Sequence, residues 1–407
     1  MSRKVRYLLA GGAACVSTAA LLGACATDAA TPLVQPDASN VAVVTEQDAA
    51  PDAPDAEIDA GPCADCAYFP EECTEEVLCP NGPFAPDTIG GALDERTQIN
   101  VVRGRSATDV WAVGALGAVA HFDGTRWSRS DSGTRQTLLA LWLRDSAEVA
   151  FGSLDALHTR GLTDIDAGAP SPGGWSSYGA PTTPPDYSSF LVRFASAWAA
   201  PDGEWLWCAM VALAPGFSSG LWRLHVAEDT GTFEVGSVVS SDVCGAIPCS
   251  QMTSVHGASR DDVWAVGMFG AIVRITNAES ATPEVTPFDS QTFSALRGVW
   301  AASASEAWAV GAQGTIRHYR GEGVRWDVVE DVPTNEDLNA VWGRSANDVW
   351  AVGAAGVVLH YDGTHWTRVP IASLGSRRPE LTTVWSPLPG HVWIGGQGIV
   401  LSLGGKP

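Results

Sequence analysis

The residues of this sequence that could do acid–base chemistry recur at fixed places in a repeated unit. His121, His318 and His360 each follow an acidic anchor residue by 12 positions, and His158 takes the same place after a short gap. A catalytic group is needed once, whereas a residue that returns in several units serves the unit itself. We therefore predict that these residues support turns and packing and are not a general acid–base pair. The anchor position holds Asp109, Glu148, Glu204, Asp262, Glu306, Asp348 and His391.

No other group of residues has the pattern of a catalytic, metal or cofactor site. His256, His365 and His391 fall in different units and have no Ser or Cys nucleophile motif beside them. Recurring G-x-x-G turns lack the following helix that phosphate binding would need. We expect no catalytic residues, metal or cofactor. The alternative is a glycan-active hydrolase or lyase, for which Arg103, in place of a repeated Trp, is the one hint.

Cysteines cluster near the start of the chain. Cys63, Cys66, Cys73 and Cys79 lie within 17 residues of each other. In an exported protein such a cluster predicts two disulfides, with three pairings open, in a module too small for its own core. Zinc binding is the alternative, but a single CxxC without a second one does not favour it.

Three further cysteines stand in the second half of the chain. Cys244 and Cys249 flank Gly-Ala-Ile-Pro and are candidates for a disulfide that closes a surface loop. Cys208 lies in the apolar run WLWCAMVALA, which predicts a buried free thiol.

The first 24 residues have the form of an export signal. Arg3, Lys4 and Arg6 precede an uncharged, mostly apolar stretch, residues 7–24. It ends in Leu-Gly-Ala-Cys25, which resembles the bacterial lipobox. That resemblance implies a signal peptide at 1–24, with Cys25 carrying palmitate-type acyl chains and anchoring the protein to the bacterial cell envelope, at the outer membrane or cell surface. An ordinary secretory signal or an uncleaved anchor is the alternative.

The acidic charge is concentrated behind this signal. The formal net charge is −22, and residues 28–80 contain 13 acids and no Lys or Arg. The Ala/Asp/Pro-rich segment 25–62 cannot bury enough apolar surface to fold, so we predict a disordered tether. Residues 63–80 form a small Cys-rich segment. The acidic balance argues against a nucleic-acid partner.

From about residue 96 the chain repeats itself every 40–60 residues. The clearest copy, residues 338–369, reads as four short strands, the first two apolar on both faces. Strands that are apolar on both faces must be covered on both sides, as they are when neighbouring blades of a propeller pack face to face. The repeat therefore predicts an all-β fold, a single β-propeller of about seven four-stranded blades over residues 81–407. The last copy lacks its outer strand, which we expect residues 84–95 to supply. Ten of the 17 Trp residues fall in two repeat columns, so the Trp excess predicts blade packing.

The units resemble the DVWAVG-type repeats of exported bacterial β-propeller proteins, relatives of the BNR and photosystem-assembly-factor-like propellers. The resemblance covers about residues 96–404 and implies an architecture but no single activity, because these families share a scaffold and differ in task.

The parts that do not repeat indicate where a partner would bind. The long connection 164–190 carries Trp175, Tyr178 and Tyr187, and Phe269 stands at the tip of a turn. They are the candidate binding face, unless the connection folds back and covers its aromatic rings. We predict a monomeric, non-enzymatic envelope lipoprotein that binds an unknown protein or glycan and meets the membrane only through its lipid. A purely structural envelope protein is a further alternative.

Overall fold

The computed structural model describes residues 65–406, except 163–167, 180, 185–186, 215–217, 228–231 and 237–238. The chain divides into the units Met1–Gly61 and Pro62–Pro407. The predicted signal peptide, Cys25, the tether 25–62 and Cys63 lie outside the described residues.

Seven four-stranded antiparallel sheets make up the described part of the chain, which confirms the predicted propeller. In blades 1 to 6 the four strands follow one another along the chain, from innermost strand A to outermost strand D. Both faces of strand B are buried because neighbouring blades pack on them, as in Val349 to Gly353.

The first three blades contain strands β2 to β13. Blade 1 consists of β2 (Ile99–Ser106), β3 (Asp109–Gly114), β4 (Ala118–Phe122) and β5 (Trp127–Asp131); blade 2 of β6 (Ala140–Arg144), β7 (Ala147–Ser153), β8 (Ala156–Arg160) and β9 (Ser176–Tyr178); and blade 3 of β10 (Val192–Trp198), β11 (Leu206–Ala212), β12 (Leu221–Val226) and β13 (Phe233–Gly236).

The next three blades contain strands β14 to β25, and a short helix, α1 (Ser241–Ala246), precedes them. Blade 4 consists of β14 (Met252–Ser259), β15 (Asp262–Gly267), β16 (Ile272–Thr276) and β17 (Glu284–Phe288); blade 5 of β18 (Leu296–Ser303), β19 (Glu306–Gly311), β20 (Ile316–Tyr319) and β21 (Asp327–Val328); and blade 6 of β22 (Leu338–Ser345), β23 (Asp348–Gly353), β24 (Val358–Tyr361) and β25 (Trp366–Arg368).

Blade 7 joins the two ends of the propeller. Its strands β26 (Leu381–Leu388), β27 (His391–Gly396) and β28 (Ile399–Leu403) come from the end of the chain, and its outer strand β1 (Leu78–Pro80) comes from the start. Leu78 pairs with Leu403 and Pro80 with Leu401. The expectation that residues 84–95 supply this strand is therefore wrong. The closing strand lies inside the Cys-rich segment.

Disulfides form where the cysteine pattern predicts them. Cys73 is bonded to Cys79, which is part of β1, and Cys244 is bonded to Cys249 at the end of α1. Cys66 is disulfide-bonded as well. A cysteine in a disulfide has no thiolate to offer zinc, so the described cysteines of the cluster do not form a zinc site. Cys208 is a buried free thiol, as predicted.

None of the 17 Trp side chains is exposed. Several fill the space between adjacent inner strands, where the Trp of one blade lies on a Gly of the next. A Cβ on Gly104, Gly257 or Gly343 would come within 2.6 Å of a neighbouring indole ring, so these positions need glycine. The rings belong to Trp385, Trp198 and Trp300.

Candidate binding face

The anchor carboxylates form part of small hydrogen-bonded clusters near the A–B turns. In blade 1, His121 Nε2 and Trp111 Nε1 donate to Asp109 Oδ1 over 2.8 and 3.1 Å. The Trp111 and His121 rings stack with centroids 4.2 Å apart. Blade 6 repeats the arrangement with Asp348, His360 and Trp350, which supports the prediction that these columns are structural.

These contacts favour the charged form of Asp348 and Asp109. The hydrogen bond from His360 lowers the pKa of Asp348. At Asp109 burial alone would raise the pKa, but the hydrogen bonds from His121 and Arg105 outweigh burial and lower it.

In blades 2 and 4 arginine, and not histidine, is bonded to the anchor carboxylate, while His158 of blade 2 lies 3.2 Å from Ser177 Oγ through its Nδ1. Arg274 makes two bonds to Asp262, over 2.8 and 2.7 Å, in blade 4. Glu148 in blade 2 accepts from both Arg105 and Arg160, over 2.8 and 3.0 Å. Each of these carboxylates is fully engaged by its own blade or the adjacent one, so none of them pairs with a second carboxylate for catalysis.

The opposite side carries the B–C turns and the D–A connections, and we call it the upper face. In blades 1, 4, 5, 6 and 7 the first residue of the B–C turn donates its N–H to the residue that leads into strand A, as Ala115 does to Gln98 O and Met268 to Gln251 O, over 2.8 and 3.0 Å. The preceding Gly must lack a side chain, because a Cβ on Gly114 or Gly267 would collide with that same carbonyl. The turns are therefore held rigidly against the inner strands.

Phe269 occupies the tip of the B–C turn of blade 4. Its φ is +57°, in the left-handed region, and the residue is 69% exposed. The corresponding residues Leu116, Gln313 and Ala355 have the same backbone conformation, so the turn fixes the backbone and leaves the side chain free to vary. The Phe269 side chain is therefore needed neither for the turn nor for packing.

Three other exposed apolar side chains lie on loops that are bonded to the loop of Phe269. Phe190 is 90% exposed, Leu213 60% and Phe293 91%. We call the four residues Phe190, Leu213, Phe269 and Phe293 the apolar arc.

A continuous set of hydrogen bonds joins the loops of the apolar arc. Leu213 N–H donates to Leu191 O over 2.8 Å, next to Phe190. The neighbouring Ala212 N–H donates to Ser250 O over 2.9 Å, and Met268 N–H to Gln251 O. Ser290 Oγ, three residues before Phe293, donates to Gly270 O over 2.6 Å. The arc thus follows the upper rim from blade 3 to the connection into blade 5.

The structure changes the predicted binding face at three of its four residues. Trp175 is 1% exposed and its Nε1 donates to Ser130 Oγ over 3.0 Å. Tyr178 and Tyr187 are partly buried and pack edge-on against Phe233 and Trp222. Burial accordingly raises the pKa of Tyr187. Only Phe269 remains exposed.

Trp175 and Tyr178 were also assigned to the wrong element. Residues Ser176–Tyr178 are β9, the outer strand of blade 2, so the insertion before them joins strands C and D and the D–A connection begins only after them. This strand was not predicted because it is only three residues long, Ser-Ser-Tyr, and no Asp-Gly turn precedes it as in blades 1 and 6. Phe190 and Phe293 were missed because a single Phe in a connection carries no periodic pattern.

The polar residues of the central channel hold the blades together. Asn100 Nδ2 donates to Leu138 O, Thr253 Oγ1 to Leu296 O, and Asn339 Nδ2 to Leu381 O, over 2.6–2.9 Å, in each case to the next blade. Thr382 Oγ1 donates in the same way to Ile99 O and so links blade 7 to blade 1. Within residues 65–406 as described, no three His, Cys, Asp or Glu side chains converge as metal ligands, and no helix is long and apolar enough to cross a membrane.

Comparison with known proteins shows a fold and no family. No protein-family model and no curated protein matches the chain. Solved structures do. YCF48 bound to a D1 peptide superposes with a TM-score of 0.55 at 14% identity over 81% of this chain and 97% of that one. The shared property is the propeller fold.

Two further structures with this fold come from proteins of other kinds. The extracellular domain of the two-component system protein BT3049 from B. thetaiotaomicron gives a TM-score of 0.54 at 13% identity, over 76% of this chain and 40% of that one. Streptogramin B lyase gives 0.54 at 14% identity, over 80% and 96%. At such identities the likeness carries no statement about activity.

Proposed function

We propose that the protein is an exported propeller that is anchored to the cell envelope by a lipid and binds another protein through the upper face. The observation that carries the proposal is the apolar arc. Single exposed apolar residues are normal on protein surfaces, but three Phe and one Leu on loops bonded to one another are not. Covering these side chains with a partner would remove apolar surface from water and so lower the free energy.

The chemistry of the arc favours a protein over a carbohydrate partner. Sugar rings are generally held by flat Trp or Tyr rings with polar groups beside them, and no Trp or described Tyr is exposed. Phe and aliphatic side chains at the centre of a contact, with a polar rim, are typical of protein interfaces. Gln251, which is bonded to Ala212 and Met268 beside Leu213 and Phe269, supplies a polar group next to the arc.

The proposed location rests on the N-terminal segment and on the disulfides. The segment that ends at Cys25 supports export and acylation, and disulfides at Cys73–Cys79 and Cys244–Cys249 suit an oxidising compartment. One of the structures with the same fold is an extracellular domain. Replacing Cys25 by Ala should release the protein from washed membranes. Retention of that variant at the wild-type level would refute lipid anchoring.

The binding proposal is tested with a triple variant, Phe190→Ser, Phe269→Ser and Phe293→Ser. These rings are exposed, so the variant should unfold at the wild-type temperature and yet lose at least about tenfold in affinity for its envelope partner. Leu388→Ser is the matched control, because Leu388 is 50% exposed at the A–B turn of blade 7, on the other face.

Two outcomes would overturn the binding proposal. One is equal retention of the partner by the wild type and the triple variant. The other is a glycan on a panel that binds the wild type and is lost in the triple variant, which would replace the protein partner by a carbohydrate.

A further inference from the structure

The packing of a Trp of one inner strand on a Gly of the next is absent from four of the seven blade pairs, where the following blade has Leu143, Ala199, Ala301 or Ser386 in place of the Gly. In the preceding blades of these pairs, the Trp column holds Arg103, Trp142, His256 and Trp342. Three of these residues, Arg103, His256 and Trp342, line the central channel.

These three side chains meet one another in the central channel. The Arg103 guanidinium lies 4.4 Å from the centroid of the Trp342 ring, and the His256 ring packs edge-on to Trp342 at 5.1 Å. They come from blades 1, 4 and 6, so the contacts cross the axis of the ring. Together they line a cavity of about 150 Å³ between the inner strands.

The cavity is lined by hydrogen-bond donors that have no acceptor. Arg103 uses only Nη1, which donates to Val102 O and Val384 O over 2.8 and 3.0 Å. Its Nε and Nη2 have no acceptor among the described residues. His256 Nδ1 accepts the N–H of Ala301 over 3.2 Å, so the proton of the neutral ring is on Nε2, which likewise has no acceptor there.

Two hydroxyl groups add to this set. Ser196 Oγ and Ser254 Oγ accept the backbone N–H groups of Val255 and Val299, over 3.1 and 3.2 Å. Because each hydroxyl oxygen already accepts a hydrogen bond from the neighbouring strand, its proton is available to donate. Both residues line the same cavity.

No carboxylate compensates the charge of Arg103. None of the described residues that line the cavity is Asp or Glu. Arg297, at the upper end, is paired with Asp337 over 2.7 Å, whereas Arg103 makes no ion pair within the described chain. Burial lowers the pKa of Arg103 to about 10 and, together with Arg103, lowers the pKa of His256 to about 3. At neutral pH the cavity therefore holds one uncompensated cation in a protein whose net charge is −22.

We propose that the central channel binds one small oxyanion, a carboxylate or a phosphate-like ion, through the Arg103 guanidinium. A half-buried cation that faces a narrow channel without a counter-ion is costly, and an anion at this place restores the balance. The planar fork of Arg matches the oxygen atoms of carboxylate and phosphate, and His256 Nε2 and the two Ser hydroxyls complete the donor set. The volume admits an ion of this size with its water and excludes a nucleotide. This site is separate from the upper-face arc and does not depend on it.

Calorimetric titration of the full-length protein with sodium phosphate and, separately, sodium acetate, at constant ionic strength, tests the site. We expect saturable binding of one ion per chain, and the anion that binds more tightly identifies the class. Arg103→Met should weaken it by at least about tenfold, as loss of a charged donor predicts. Arg103→Lys should retain part of it. Arg320→Gln, which removes an exposed charge paired with Asp327, is the control and should bind like the wild type.

A second measurement covers the case in which Arg103→Met does not fold. Crystals of the wild-type protein soaked in selenate should show an anomalous peak beside the Arg103 guanidinium. The proposal is overturned if neither phosphate nor acetate binds the wild type saturably, if a folded Arg103→Met binds as tightly as the wild type, or if the wild type binds phosphate in solution and selenate is absent from the channel.

Discussion

At the scale of single residues, the same side-chain types have different roles because their positions in the repeat differ. His121 and His360 bond to carboxylates of their own blade, while His256, in the Trp column, lies in the channel beside a cation. The repeat made the first group predictable. The role of His256 depends on which residue the next blade presents to it, which one unit of the sequence does not reveal.

His256 should make the protein less stable in mild acid. Its pKa is lowered by burial and by Arg103 to about 3, whereas an unfolded His has a pKa of about 6.5. Between these values the unfolded chain binds a proton that the folded chain does not, so the free energy of unfolding falls as the pH is lowered, by up to about 1.4 kcal/mol per pH unit.

The measurement is urea unfolding of the wild type and His256→Gln at a series of pH values from 7 to about 4. The variant has no side chain that titrates in this range and should show a smaller loss on acidification. His365→Gln, in an exposed C–D turn, is the matched control. An identical pH dependence in the wild type and His256→Gln would contradict this assignment.

At the scale of elements, the closing strand decides whether the ring is complete. β1 is only three residues long, yet Leu78 is fully buried and packs in the core of blade 7, and Cys79 ties the strand to Cys73. Without it the outer edge of β28 would be unpaired, and unpaired edges invite aggregation.

Two truncated chains test the closing strand. A chain that begins at residue 62 keeps the unit that contains β1 and should unfold at the same urea concentration as the full-length protein. A chain that begins at residue 81 lacks Leu78, and burying such a side chain is worth about 2–5 kcal/mol relative to its truncation. It should unfold at clearly lower urea or aggregate. Equal unfolding midpoints for the two truncated chains would show that β1 does not close the ring.

The comparison of prediction and structure is clearest at this scale. In the clearest repeat, residues 338–369, the sequence predicts four short strands, and the structure has them at Leu338–Ser345, Asp348–Gly353, Val358–Tyr361 and Trp366–Arg368. Apolar periodicity and turn residues sufficed there because every blade obeys the same packing. β1 and β9 were misplaced because each has three residues and takes its conformation from a partner strand far away in sequence.

At the scale of the whole molecule, the two faces of the propeller differ in what they leave exposed. Near the A–B turns, carboxylates, His and Arg saturate one another within the blades. All three exposed Phe side chains of the described chain are on the upper face. The roles of the residues near the A–B turns were predictable because they recur in the repeat. The apolar arc consists of single residues in unrelated loops, which only the fold brings together.

The upper face as the site of protein binding is the central claim, and site-specific photocrosslinking in the producing cells tests it most directly. A photoreactive phenylalanine analogue is placed at Phe269 and, as the control, at Leu388 on the other face, both exposed in the folded protein. We predict one discrete protein adduct from position 269, none from position 388, and loss of the adduct when Phe190 and Phe293 are changed to Ser. The absence of an adduct at 269, or the same adducts from both positions, would contradict the account.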